Sequence, residues 1–160
     1  ENTQGIGYDT KAPFDAKKTF AEILLEPTRL YVKPILAALK IKAHDGRPAI
    51  RGLAHITGGG LYENVPRVIP KGLCAKINAE NWDMLPIFKF LREIGELEPR
   101  DMATTLNCGI GMVVVCRKGQ TNEIEDALKK QGETVYRLGT IIKGNEPIQI
   151  DNIDTVWRQK

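Results

Sequence analysis

The sequence predicts an α+β fold, and three observations carry that reading. Strand-like and helix-like segments follow one another irregularly rather than as alternating βα units. Two strand-like segments, 135–142 and 147–150, stand side by side near the end, and Met112-Val113-Val114-Val115-Cys116 is apolar throughout. Regular alternation would give a doubly wound parallel sheet; this order favours a mixed sheet with helices. A chain of 160 residues, 42% hydrophobic, is long enough for one domain with its own core.

Taken in order, residues 1–18 are polar, with Gly5 and Gly7 and no periodic apolar face, and read as a tail or connector before a domain at 19–160. Residues 19–26 place Phe20, Ile23 and Leu24 at helical spacing before Pro27. A second helix is predicted over 29–40, with Leu30, Ile35, Leu36 and Leu39 inward and Pro34 at a kink or in the first turn. His44-Asp45-Gly46-Arg47-Pro48 is a turn by composition. A strand at 49–56, broken by Gly52, runs into Thr57-Gly58-Gly59-Gly60, and a second strand follows at 73–77.

The clearest helical pattern is 81–95, with Asp83 as N-cap, Leu85, Phe88, Leu91 and Ile94 as its apolar face, and Gly95 as terminator. Pro99 suits the start of a short helix. A strand over 109–116 is expected to be covered on both faces. Asn122 and Glu125 have capping-box spacing for a helix through Ile124 and Leu128 to Gly132. Segments 135–142 and 147–150 read as a closing hairpin around Gly144-Asn145, followed by a tail that is polar apart from Trp157.

Composition narrows the function. A net charge of +3, with no basic block, gives nucleic-acid binding little support. No apolar run is long enough to span a bilayer, so no membrane role is expected. Cys74, Cys108 and Cys116 form no C-x-x-C pair and, with only His44 and His55 besides, spell no metal cluster. Reduced thiols in a cytoplasmic protein are the expectation. The chain opens at Glu1 without a Met or a secretory pattern, and reads as a piece of something longer.

The strongest local signal is Ala54-His55-Ile56-Thr57-Gly58-Gly59-Gly60. Glycines after a strand let backbone N–H groups crowd toward a ligand, and a following helix would add its field, as in phosphate cradles. The loop is neither a Walker loop nor a dinucleotide fingerprint, and a plain strand-to-helix turn is the alternative. Asn64 and Arg67 add a neutral donor and a fixed cation. His55, at the lip, suits proton transfer or a hydrogen bond to an anion, against the alternative of a histidine satisfied within the fold. In Thr105-Leu106-Asn107-Cys108-Gly109-Ile110-Gly111, Asn107 can aim its amide at a ligand. Cys108 has no evident activating base and reads as packing. Arg29 and Lys33 lie one helical turn apart, as a solvated basic face or an anion site.

Glu26-Pro27-Thr28-Arg29-Leu30-Tyr31-Val32-Lys33, the run from Ala54 through His55-Ile56-Thr57-Gly58-Gly59-Gly60-Leu61-Tyr62-Glu63-Asn64-Val65-Pro66-Arg67 to Pro70, and Thr105-Leu106-Asn107-Cys108-Gly109-Ile110-Gly111-Met112 occur in that order. Together they resemble the C-terminal half of the aminoimidazole ribonucleotide synthetase (phosphoribosylformylglycinamidine cyclo-ligase) family, over about residues 19–150. Leu106 departs from the family's usual Phe, a packing change, and 44–48 looks like extra loop length.

The resemblance implies a three-layer α/β/α sandwich around a mixed sheet, partly ferredoxin-like. It also implies a part in ATP-dependent ring closure of formylglycinamidine ribonucleotide to aminoimidazole ribonucleotide in purine biosynthesis. Carried over residue by residue, Thr57, Gly58, Gly59, Gly60, Asn64 and Arg67 hold a phosphate of substrate or nucleotide. His55 orients the reacting amide or moves a proton, and Asn107 and Gly109 line the cleft from the other side. The implied cofactors are ATP and Mg²⁺, bound mainly by an N-terminal half outside this chain, and the implied partners are that half and a homodimer of the full-length protein. Without it the chain is expected to be inactive. Other ATP-using members of the superfamily, namely formylglycinamidine ribonucleotide synthase, selenophosphate synthetase, thiamine monophosphate kinase and a hydrogenase maturation protein, are the alternatives. A non-catalytic anion- or nucleotide-binding module is the alternative from another class.

Overall fold

The computed structural model describes residues 5–158. The chain divides into two compact units, one running through Leu30 and one from Tyr31 onward. In the first, β1 (Lys11–Ala12) and β2 (Asp15–Thr19) form an antiparallel hairpin that leads into α1 (Phe20–Leu24). The described part of the segment that reads as a tail or connector, residues 5–18, thus holds most of a short hairpin. Strands of two and five residues, the longer without a buried position, are too short and too polar to show alternation. Thr19 caps α1 reciprocally: its Oγ1 accepts from the Glu22 N–H at 3.2 Å, and Glu22 Oε2 accepts from the Thr19 N–H at 2.7 Å. The Thr19 N–H and, at 3.1 Å, the Thr19 hydroxyl both donate to Glu22 Oε2 and hold the carboxyl below its usual pKa.

In the second unit α2 (Val32–Ala38) begins later than expected and holds Pro34 in its first turn, where the missing N–H costs nothing. Its inward residues are Pro34, Ile35 and Ala38. Leu36 and Leu39 are exposed instead of inward, as is Leu30. Ile35 and Ala38 pack with Ala49, Ile50, Ile124 and Leu128.

Next come β3 (Ile50–His55), α3 (Gly60–Asn64) and β4 (Leu73–Asn78). α4 (Pro86–Gly95) starts at Pro86 in the N1 position, not near Asn81; 79–81 form a separate 3₁₀ turn capped by Asn78. Asp83 is therefore not the cap. Phe88 and Leu91 are half-buried, but Leu85 and Ile94 are exposed, and the left-handed residue ending the helix is Glu96 (φ 48°), not Gly95. α5 (Pro99–Thr105) starts at the expected proline.

β5 (Met112–Cys116) is half-buried along its length rather than covered on both faces, and 109–111 lie in the preceding loop. α6 (Thr121–Lys130) follows a Gln120 N-cap without a side-chain cap. The expected capping residues serve another partner: Asn122 Oδ1 and Glu125 Oε2 both accept from the Arg137 guanidinium at 2.8 Å. Lys129 and Arg137 together hold the Glu125 carboxyl below its usual pKa.

β6 (Gly139–Lys143) and β7 (Ile148–Asp151) do not pair with each other. β4 lies between them, antiparallel to β6 and parallel to β7, in a mixed sheet of order β6-β4-β7. The turn of the expected hairpin survives but passes over the end of β4, where Gly144 N–H donates to the Gly72 carbonyl at 3.1 Å. β3 and β5 form a separate antiparallel pair. The mixture of small sheets and helices is α+β. α7 (Ile153–Arg158) turns the supposed polar tail inward, burying Ile153 and Trp157. Trp157 meets Trp82 edge-to-face at 5.6 Å in a core with Leu61, Val65, Met102 and Ile77. Burying a side chain such as Leu61 contributes about 2–3 kcal/mol. No helix among the described residues is long and apolar enough to cross a membrane.

Candidate functional site

Antiparallel pairing puts the end of β3 beside the start of β5. His55 sits opposite Met112, and Ile56 N–H donates to the Gly111 carbonyl at 2.9 Å. Residues 57–60, leaving β3, and 107–111, entering β5, therefore meet at one end of the pair. Gly60 closes the approach: a Cβ there would overlap the Ala103 carbonyl and lie 2.7 Å from that of Leu106. Only glycine fits, and its φ of 52° is one that other residues rarely adopt.

Thr57, Gly58, Gly59 and Gly60 form a tight turn, in which Gly60 N–H donates to the Thr57 carbonyl at 2.9 Å. Gly59 has φ 92° and ψ −5°, as the third residue of a type II turn requires. Asn64 is 3% exposed, and its Nδ2 faces the carbonyls of Gly60 (2.8 Å), Gly58 (3.1 Å) and Thr57 (3.4 Å). In a trans peptide the N–H of the next residue points opposite to the carbonyl. With these carbonyls drawn inward, the N–H groups of Gly58, Gly59 and Leu61 face away from Asn64; Gly58 is exposed and Gly59 half-buried, whereas Leu61 is fully buried. Asn64 is thus the brace of the loop, its amide already spent inside the fold. Thr57 and Gly58 are exposed.

His55 is exposed at the lip, its ring 5.8 Å from that of Tyr31 in an edge-to-face contact. The Tyr31 hydroxyl is seated so close to Gly111 that a Cβ there would overlap it. Tyr31 is the site residue that the reading of individual positions missed. It and Gly111 belong to two separate motifs, and nothing local in either pairs them. Arg67 is exposed on the 3₁₀ turn Val65–Val68 that continues α3, without a partner among the described residues. Glu63 folds its carboxylate back against Gly59.

Across the site, Asn107 Oδ1 accepts from the Gly109 N–H at 3.0 Å, bending the chain into β5. Gly109 has φ 92° and backs onto Leu85. Cys108 is fully buried, and burial pushes its thiol up to about 12, so it is neutral and unsuited to nucleophilic work. Its carbonyl accepts from Trp82 Nε1 at 3.1 Å. Cys74, Cys108 and Cys116 are all free. Lys33 is exposed on α2, while Arg29 belongs to the other unit. Among the described residues no three His, Cys, Asp or Glu side chains converge as a metal cage. The chemistry offered is hydrogen-bond donation from backbone amides, an imidazole and a free guanidinium.

The sequence matches the family described as AIR synthase related protein, C-terminal domain, over residues 2–151. It is similar to two proteins named phosphoribosylformylglycinamidine cyclo-ligase. One, from Neisseria meningitidis serogroup C (FAM18), is 50% identical over 83% of this chain and 37% of its own length. The other, from Neisseria gonorrhoeae, is 50% identical over 86% of this chain and 39% of its own. The bifunctional purine biosynthetic protein purD of Dictyostelium discoideum is 44% identical over 86% of this chain and 16% of its own. The chain therefore spans less than two fifths of these relatives. Among solved structures, thiamine-monophosphate kinase from Stenotrophomonas maltophilia K279a aligns with a TM-score of 0.49 at 14% identity, over 62% of this chain and 31% of that one.

Proposed function

This chain belongs to the AIR synthase related protein family, as its C-terminal domain, and we propose on that premise that it is the C-terminal part of a phosphoribosylformylglycinamidine cyclo-ligase. Residues 19–160 are the domain proper. The reaction is ATP-dependent closure of the imidazole ring of formylglycinamidine ribonucleotide. ATP transfers its γ-phosphoryl group to the formyl oxygen and leaves as ADP. The amidine-side nitrogen attacks the formyl carbon, the C–O bond breaks to release phosphate, and the nitrogen gives up a proton. ATP and Mg²⁺ are held mainly by an N-terminal half, the full-length protein is a homodimer, and it works in the cytoplasm.

The observation that carries this reading is the amide crown of 57–61, braced by Asn64 beside His55. Such preformed donors stabilise charge as it develops, at no cost of reorganisation. In this assignment the N–H groups of Gly58 and Gly59, with Arg67, take the phosphoryl group. Thr57 and Gly60 shape the turn, Asn107 and Gly109 line the opposite wall, and His55 orients the formyl amide or moves the proton of ring closure. Tyr31 holds the His55 ring.

The test is His55→Ala in the full-length protein. An exposed lip residue contributes little to the core, so the thermal midpoint stays near wild type. Turnover is expected to drop about 10²–10⁴-fold. Turnover within a few-fold of wild type would return His55 to a structural role.

A further inference from the structure

The second glycine segment is built on a turn that its own residues do not account for. Ile110 N–H donates to the Asn107 carbonyl at 2.9 Å, and both central residues, Cys108 (φ 49°) and Gly109 (φ 92°), have positive φ, as in a type I′ turn. Gly, Asn and Asp dominate such positions, and a cysteine in one has to be held from outside. Trp82, itself buried, holds it. Its indole Nε1–H donates to the Cys108 carbonyl at 3.1 Å, and its ring is packed edge-to-face against Trp157. Leu85, three residues on, backs Gly109.

The geometry points to Trp82 as a positioning residue that fixes Asn107 as a hydrogen-bond donor to an oxygen of the ligand. This rests on the cyclo-ligase reading, and deepens it. The Cys108–Gly109 peptide is trans, so pinning its carbonyl to the indole turns its N–H the other way. That N–H donates to Asn107 Oδ1 at 3.0 Å. A backbone N–H can only donate, so the carbonyl oxygen of the Asn107 side chain must face it, and the NH₂ group is left over. Asn107 is half-buried, and among the described residues its Nδ2 has no hydrogen-bond partner. The Gly109 N–H is thus spent within the segment, and what the segment brings to the site is the polarity of one side-chain amide. Asn64 is the reverse case, its Nδ2 consumed by three carbonyls of its own loop. A fixed donor at Asn107 suits a carbonyl or phosphoryl oxygen.

The experiment uses the full-length protein as wild type, Asn107→Ala, Asn107→Asp, Trp82→Phe and the double variant Trp82→Phe/Asn107→Ala. Binding of formylglycinamidine ribonucleotide is followed by calorimetry, and circular dichroism and the thermal midpoint establish folding. Aspartate keeps the oxygen that the Gly109 N–H needs but puts a carboxylate in place of the donor, so the two readouts should part. The midpoint of Asn107→Asp stays nearer wild type than that of Asn107→Ala, whereas Kd rises about tenfold in Asn107→Ala and further in Asn107→Asp. Trp82→Phe keeps an aromatic ring against Trp157 and loses the indole N–H. It should raise Kd about 3–10-fold, but by less than about twofold when residue 107 is already alanine. The riboside, which lacks the 5′-phosphate, locates the oxygen. An Asn107→Ala penalty that persists with it places the oxygen on the formylglycinamidine side, one that disappears places it on the phosphate, and either supports the donor role. Binding by Asn107→Asp as tight as by Asn107→Ala overturns that role. A Trp82→Phe penalty that persists in the alanine background, or a Trp82→Phe protein that does not fold, overturns the positioning role. Both results leave the cyclo-ligase reading standing, whereas failure of wild type to bind formylglycinamidine ribonucleotide counts against that reading itself.

Discussion

Residues 57–60 and residues 107–111 bring glycines to the same end of the β3–β5 pair, yet their backbones are held by opposite means. The first loop is braced from within: one buried amide, Asn64, gathers the carbonyls and leaves the N–H groups of Gly58 and Gly59 turned away from it. The second turns its own N–H inward, from Gly109 to the Asn107 side chain, and passes through a buried Cys108 at φ 49°. One segment therefore presents donors and the other supports them. Glycine count alone does not mark a binding loop; what matters is which side of the peptides is already satisfied.

The contrast can be broken by mutation. Gly60→Ala should be the most damaging change, because the new Cβ meets two backbone carbonyls and the backbone angle disfavours it. A loss of about 3 kcal/mol or more in urea unfolding is expected. A loss under about 1 kcal/mol would mean that the two segments can separate freely. Asn64→Ala should cost about 2–3 kcal/mol, since it strips a buried donor from three carbonyls. Asn107→Ala, which removes one half-exposed bond, should cost about 0.5–1 kcal/mol. Equal costs would erase the distinction between the two loops.

The smallest effect belongs to Cys108. In the native protein Cys108 should resist iodoacetamide at pH 8, read at that residue by peptide mass spectrometry, and Cys108→Ala should retain full-length activity within a few-fold. The thiol's folded pKa of about 12 lies above the unfolded value of roughly 8.5. Its contribution is complete below the unfolded value and is lost as pH rises from there through the folded one. The urea midpoint of wild type should therefore fall above about pH 9, and less steeply in Cys108→Ala. Rapid alkylation of Cys108 itself in the folded protein would show that the second segment opens.

Much of this was legible in the residues. Apolar runs placed β3, β4 and β5 to within a few positions, Pro99 placed α5, and the motifs placed both loops. What failed had physical causes. The hairpin at the end of the chain was read from sequence adjacency, but β4, some sixty residues earlier, inserts between its two strands. The capping box was expected at Asn122, whereas Arg137 claims those side chains and Thr19 and Glu22 form a real one. Asn64 looked like a ligand because an Asn beside a glycine loop offers a donor; its burial, a tertiary property, directs that donor inward. Tyr31 against His55 and Gly111 joins segments far apart in the chain, which no local pattern can report.

The central claim is that the amides of Gly58 and Gly59 face a ligand because Asn64 holds the carbonyls of Thr57 and Gly58. Titration of the ¹⁵N-labelled chain with formylglycinamidine ribonucleotide, followed by amide chemical shifts, tests it most directly. The account predicts the largest shifts at Gly58 and Gly59, with smaller ones at Leu61, His55 and Asn107. Shifts confined to residues away from 57–61 would contradict it.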